Sequence, residues 1–326
     1  MILSINDKYV LTMESITQLC GIGLKKKNYI IQNIVKYFSN AKYAEYEEMD
    51  NCIIKVDEEI FGRKYYTTYY ISSVNDLING IAISKTSIMK KYVDYVNSTY
   101  DNQVIYEDII AGYEKIFSKI NNELKESDIN LMMDFMEEKI TDVAQLAVTR
   151  TPDLGYIERM DNYELYMEYI KIIKAYYKNN PDKILLVLEN LDHYLDIEQY
   201  YSLMQQLEIL ISELDICVIT TTSIRGYVYI SRNNITGINV VNDEIFSMPM
   251  IEELETFFDE NYPCNYDMSE KNMLHNISQI IHDIGIDGYS PCDKEYVFLK
   301  LLDESIGVHI GKYDEKNIVE NAFLNT

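Results

Sequence analysis

Apolar positions along this chain change period between its parts. Residues 183–190, Lys-Ile-Leu-Leu-Val-Leu-Glu-Asn, form an almost continuous apolar run after a Pro181-Asp182 turn, the form taken by a parallel strand buried on both faces. Cys52 to Val56 and Tyr65 to Ser72 are rich in β-branched and aromatic residues and are expected as strands. From Val74 to about Lys125 the spacing turns to three and four, through Leu77, Ile78, Ile81, Ile88, Tyr92 and Tyr95, then Ile105, Ile109, Tyr113, Phe117, Ile120 and Leu124. That spacing predicts two long amphipathic helices packed as an antiparallel pair.

After Pro152 the alternation resumes. A helix over Asn162–Lys178, a strand over Ile184–Leu188, a helix over Ile197–Leu214 and strands over Ile216–Thr220 and Gly237–Val241 predict a β-α-β unit with a mainly parallel sheet. The expected organisation is an α/β head from residues 1–72 and 149–248, interrupted by an inserted helical leg domain over 73–148. Residues 249–326 read as short acidic helices broken at Pro263, Gly285, Gly288 and Pro291, and are expected as an appended extension.

Charge changes the picture only when it is divided along the chain. The 326 residues carry 29 Lys and Arg against 53 Asp and Glu, a net charge of -24, which argues against a polyanion as partner. Yet residues 25–91 hold eleven basic and eight acidic side chains, whereas residues 243–326 hold five and eighteen. The amino-terminal half can therefore face a polyanion that the carboxyl-terminal end avoids. Five cysteines, none in a C-x-x-C pair, predict reduced thiols in a cytoplasmic protein. Asp7, Lys8 and Glu14 interrupt the first apolar stretch, so no signal peptide is expected, and no run is apolar enough for a membrane helix.

Two segments have the layout of nucleotide chemistry without its working groups. In Gln18-Leu-Cys-Gly-Ile-Gly-Leu-Lys-Lys-Lys-Asn28, a phosphate-binding loop would need a hydroxyl after its lysine to hold magnesium, and Asn28 stands there. Read plainly, Gly21 and Gly23 make a tight strand-to-helix turn followed by solvated lysines. The strand at 183–188 ends in Glu189 and Asn190, where a nucleotidase has Asp and then a Glu that polarises water. An amide is no general base, so no hydrolysis is expected. The four histidines keep no metal-ligand spacing and read as core or surface residues.

The residues 16–27 and 184–195, in the order head, helical insert, head, resemble the Csn-two family, accessory adaptation proteins of type II-A CRISPR systems, and in length their long variant with a carboxyl-terminal extension. The resemblance covers residues 1–248. It implies a degenerate P-loop NTPase-like head with helical legs and a ring-shaped homotetramer holding double-stranded DNA, by its ends and without sequence preference, in a calcium-dependent way. No catalysis is implied. The implied setting is spacer acquisition in antiviral defence, beside the CRISPR effector nuclease and the spacer integrase.

In the family the segment returning from legs to head is acidic and metal-binding, which points to Asp134, Glu137, Glu138 and Asp142 as calcium ligands, hard oxygens of the kind that ion prefers. For DNA phosphates the candidates are Lys25, Lys26, Lys27, Lys85, Lys90 and Lys91, with Arg63, Lys64, Lys115 and Lys119 behind them. Such contacts position a duplex without reading its bases. Singly each lysine is a surface solubiliser; as a set they are the one polyanion face. Two other classes stay open: an active P-loop ATPase or ABC-type head, disfavoured by Asn28 and Asn190, and a protein-interaction scaffold, which the acidic end would suit.

Overall fold

The computed structural model describes residues 1–39, 53–57, 59–127, 156–262, 269–286 and 293–308. They form two units, divided between Val74 and Asn75 and again between Asn180 and Pro181.

The first unit is built on six strands: β3 (Ile16–Cys20), β6 (Thr67–Ile71), β7 (Ile184–Leu188), β8 (Ile216–Thr221), β9 (Ile238–Val241) and β10 (Ile245–Ser247). Their order is β10-β9-β3-β8-β7-β6, and every neighbouring pair is parallel except β9 with β10. All residues of β3 and β7 are buried, as a parallel sheet covered on both faces requires. β8 lies between them, so the glycine-bearing strand and the acidic strand end two strand spacings apart, about 10 Å.

A second, antiparallel sheet carries β1 (Ile2–Ile5), β2 (Tyr9–Thr12), β4 (Ile54–Val56) and β5 (Glu59–Ile60) in the order β2-β1-β4-β5. Its inward residues Leu3, Ile5, Leu11, Ile54 and Val56 share one buried cluster with Ile30, Ile31, Ile34 and Phe38 of α1 (Leu24–Phe38) and with Leu185, Val187 and Ile219 of the large sheet. Each of these side chains contributes about 1.5–3 kcal/mol by leaving water. α6 (Ile197–Glu213) begins with a capping box between Asp196 and Gln199 and buries Tyr200, Leu203, Met204, Leu207 and Leu210.

The acidic end of the chain departs from expectation. α7 (Ile251–Asn261), α8 (Glu270–Ile280) and α9 (Asp293–Ser305) place Leu254, Phe258, Met273, Ile277, Phe298 and Leu302 in one cluster with Cys20, Ile238 and Val240. Helices expected as an appended domain thus share a core with the central strands. Their sequence hides this, because charged residues fill the outward positions and only one face of each is apolar.

The second unit contains α2 (Val74–Ile81), α3 (Ile88–Asn97), α4 (Tyr100–Glu126) and α5 (Asn162–Tyr177). Three helices stand between Val74 and Lys125 where the periodicity predicts two. Serine and threonine break the run: Ser87 Oγ accepts from Lys90 N, and the Ser98 and Thr99 hydroxyls donate to Tyr95 O and Val96 O, each at 2.7 Å. α5, which the alternation assigned to the head, packs with α3 in this unit, the Tyr95 and Tyr176 rings meeting edge-on at 6.3 Å. The division between units therefore follows α5 at residue 180, whereas the expected one stands at 148/149.

Candidate functional site at the end of the central sheet

β3 runs through Gly21, Ile22 and Gly23 into α1, the layout of a phosphate-binding loop. Both glycines are required by crowding. A Cβ at Gly21, whose φ is +93°, would stand 2.6 Å from Asn242 Oδ1, and one at Gly23 would stand 2.6 Å from Val241 O. In a working loop those glycines let backbone N–H groups close on phosphate. Here the N–H groups close on protein: Ile22 N donates to Asn242 Oδ1 at 2.8 Å and Gly23 N to Val241 O at 2.8 Å. Asn242 is buried, and its Nδ2 donates to His282 O at 3.0 Å and Ile284 O at 2.7 Å. One side chain thus ties the loop to the turn that follows α8.

Three lysines in the first turn of α1 oppose the helix dipole, so their ammonium groups need other partners. Lys27, expected as a DNA contact, is buried at 4 % exposure. Its Nζ donates to Gly21 O at 2.6 Å, Thr222 O at 2.5 Å and Ser223 Oγ at 2.7 Å. As placed, it reaches no phosphate of a duplex. Burial pushes its pKa down to about 8, while the neighbouring Cys20, Asp192 and Glu189 push it up. Lys26 is half-buried and donates to Asn242 O at 3.0 Å and to Asp243 O. Only Lys25 of the three is exposed.

At the end of β7, Glu189 is buried and accepts from the Tyr70 hydroxyl, which accepts in turn from Gln32 Nε2 at 2.8 Å. Burial, then the bond to Glu189, raises Tyr70 to about 12. Asn190 takes a left-handed conformation, φ 56°, which asparagine tolerates, and its N–H donates to Thr221 Oγ1 at 2.8 Å. Asp192 follows in a 3-10 turn, its Oδ2 accepting from Ser223 N at 2.6 Å and Ile224 N at 2.7 Å. A layer of titratable groups lies behind. His282 is 1 % exposed, and burial, with the nearby Lys27 and Arg225 cations, lowers it to about 3. Asp303 is fully buried and raised to about 7, mainly by burial, although Gly285 N donates to it at 3.1 Å. Arg225 pairs with Asp283 at 2.6 Å.

The remaining basic candidates divide between the units. Lys64 is exposed on the first unit, and Arg63 is half-buried there, its guanidinium 5.9 Å from the Tyr37 ring and donating to Tyr37 O at 3.4 Å. Lys85, Lys115 and Lys119 are exposed in the second unit. Lys91 is half-buried there, as is Lys90, which pairs with Asp94 at 3.6 Å. The calcium candidates Asp134, Glu137, Glu138 and Asp142 lie outside the described residues, and among the described residues no group of three or more His, Cys, Asp or Glu could hold a metal. Among the same residues no helix is long and apolar enough to cross a membrane. Cys20 is buried and Cys217 half-buried, both free thiols.

Sequence reasoning missed Asn242, Thr222 and Ser223. Their part is played through a backbone carbonyl, one hydroxyl and one amide after strands remote in sequence, which leaves no local motif.

No family model matches the chain, and no curated protein matches it. Among solved structures, the crystal structure of Stu0660 of Streptococcus thermophilus superposes with a TM-score of 0.88 at 18 % identity, covering 100 % of this chain and 99 % of that one. A crystal structure of the SmcHead bound to the C-winged helix domain of ScpA has a TM-score of 0.40 at 11 % identity over 78 % of this chain and 98 % of its own. The first likeness shows that this chain has the mixed α/β fold of Stu0660, a Csn-two protein.

Proposed function

We propose that this chain is a long-variant Csn-two protein: a non-catalytic, sequence-independent holder of double-stranded DNA that acts in CRISPR spacer acquisition. Its head is read as a P-loop NTPase-like unit put out of use. The observation that carries the non-catalytic part is Lys27, whose Nζ is bound to three protein oxygens within 2.7 Å where a nucleotide's phosphate would need it. A shared fold by itself carries no activity. The DNA part rests on the sequence resemblance and on Lys25, Lys64, Lys85, Lys115 and Lys119, which are exposed.

Self-assembly has support of its own. On α4, Ile105, Ile109, Tyr113, Ile116 and Ile120 are 36–58 % exposed at spacings of four, four, three and four residues. A helical stripe of that kind is a surface for another protein chain. A homotetramer of such chains carries four times -24, so a divalent cation at a crowded acidic segment would relieve local repulsion. Calcium suits irregular oxygen ligands better than magnesium does. The partners in this reading are duplex DNA, further copies of the chain, the effector nuclease and the integrase.

Gel filtration and duplex binding, each in chelator, calcium and magnesium, test it. The expected result is a tetramer and tight sequence-blind binding in calcium, with both weakened by chelator. Equal mass and affinity in all three would remove calcium from the account, and no duplex binding at low salt would remove DNA and favour an acidic scaffold.

A further inference from the structure

The buried end of Lys27 is surrounded by oxygens, where a phosphate cradle presents N–H groups. Gly21 O, Thr222 O and Ser223 Oγ stand 2.6, 2.5 and 2.7 Å from Nζ, one acceptor for each of its three protons. Two of the three come from the turn after β8, and that turn is fixed by Asp192, whose Oδ2 accepts from the N–H groups of Ser223 and Ile224. Asp192 is 6 % exposed, and its Oδ1 has no hydrogen-bond partner. Burial holds the Lys27 pKa down at about 8, and the charge of Asp192, with that of Glu189, offsets part of that fall. The loop amides meanwhile face Asn242 Oδ1 and Val241 O. The polarity of the site is therefore reversed relative to its layout: acceptors converge where a phosphate needs donors.

We propose that the end of this sheet is a cation cradle with the Lys27 ammonium as its built-in occupant, and that without this lysine it takes a free monovalent cation, best a small primary ammonium, and not a phosphate. This stands apart from the DNA reading, since Lys27 is buried and takes no part in it. An ammonium placed by a side chain needs no free ligand, and its loss leaves three acceptors without their donor and a buried carboxylate without its neighbouring cation, which is unfavourable.

Thermal unfolding of the full chain carrying Lys27→Ala, at constant ionic strength, tests the cradle. n-Propylammonium, which replaces the deleted atoms, is expected to raise the variant's midpoint by several degrees, saturably with concentration. Potassium should do so less, n-propanol and inorganic pyrophosphate not at all, and the unaltered protein should respond to none. Lys27→Met, which fills the space without charge, should be as damaged as Lys27→Ala and stay unrescued. Equal rescue by propanol would reduce the site to a cavity, rescue by pyrophosphate would make it a phosphate site, and no rescue would mean no cradle; each overturns the proposal. Should Lys27→Ala fail to fold, the unaltered protein labelled with ¹⁵N-lysine supplies a second test. One exchange-protected ammonium signal that weakens in Ser223→Ala is expected, and its absence from the unaltered protein, or its indifference to Ser223→Ala, overturns the proposal.

Discussion

The loop end of the first unit and the long helix of the second dispose of their binding groups in opposite ways. At the loop, the N–H groups of Ile22 and Gly23, the Asn242 amide and the Lys27 ammonium all find partners inside the chain, and the Asn242 and Lys27 side chains are buried. On α4, five apolar side chains and two lysines, Lys115 and Lys119, stay exposed. A region that satisfies itself has no free energy left for a ligand, whereas an exposed apolar stripe flanked by cations has both area and charge to offer. In the proposed reading binding falls on the helix, and the turn between β3 and α1 serves as architecture.

The largest effect should come from breaking the helix side. Changing Ile105, Ile109 and Ile116 together to Asp should reduce the protein to monomers in gel filtration with calcium. The melting temperature of the monomer should move little, since exposed positions away from special features usually count for under about 0.5 kcal/mol each. An unchanged mass would mean that α4 is not an assembly surface.

Next is the loop side. Asn242→Ala leaves Ile22 N, His282 O and Ile284 O unpaired in the interior, at about 1–3 kcal/mol for each buried group that finds no water. A loss of about 3 kcal/mol in chemical denaturation is expected, with DNA affinity of the folded fraction unchanged. A loss under about 0.5 kcal/mol would show that the loop is not held shut by this residue.

A smaller effect sharpens the same contrast through pH. Asp303 is raised from 3.8 to about 7, so the folded state binds the extra proton between those values, and the stability it gives is full below pH 3.8 and lost as pH rises through about 7. His282 is lowered from 6.5 to about 3, so its contribution is present above 6.5 and lost as pH falls toward 3. The two oppose each other between about pH 4 and 6.5. Asp303→Asn keeps an acceptor for Gly285 N and removes the titrating carboxyl. Its stability should climb with pH from 4 to 6.5 more steeply than that of the unaltered chain, and exceed it at pH 8. Parallel pH profiles would contradict the burial of these groups.

The smallest effect is on the slope of DNA binding. Lys115→Ala with Lys119→Ala should flatten the dependence of log affinity on log salt by up to about 1.8, near 0.9 for each phosphate no longer neutralised, equally for all sequences. An unchanged slope would move the DNA face elsewhere.

Much of the large sheet was legible because its strands are local and strongly apolar. The strands read over 184–188, 216–220 and 237–241 match β7, β8 and β9 within a residue. β1 and β2 were not legible: each has four residues, and the pairing of β1 with β4 depends on contacts about fifty positions away. The glycines and lysines of the loop were visible, but what they do was not. A run of Lys25, Lys26 and Lys27 looks like one basic patch in sequence, yet the helix turns them in three directions and only burial separates the third from the first. The partner that shuts the loop, Asn242, stands about two hundred and twenty residues away with no motif around it.

Fluorescence anisotropy of a labelled duplex, titrated with protein in calcium across a range of salt, with and without saturating ATP and magnesium, puts the central claim to its most direct test. Tight binding at low salt is expected, equal for unrelated sequences, falling linearly in log-log form, with curves that ATP does not move. Absence of binding at low salt, or a binding curve that ATP shifts and Lys27→Met makes insensitive, would contradict it.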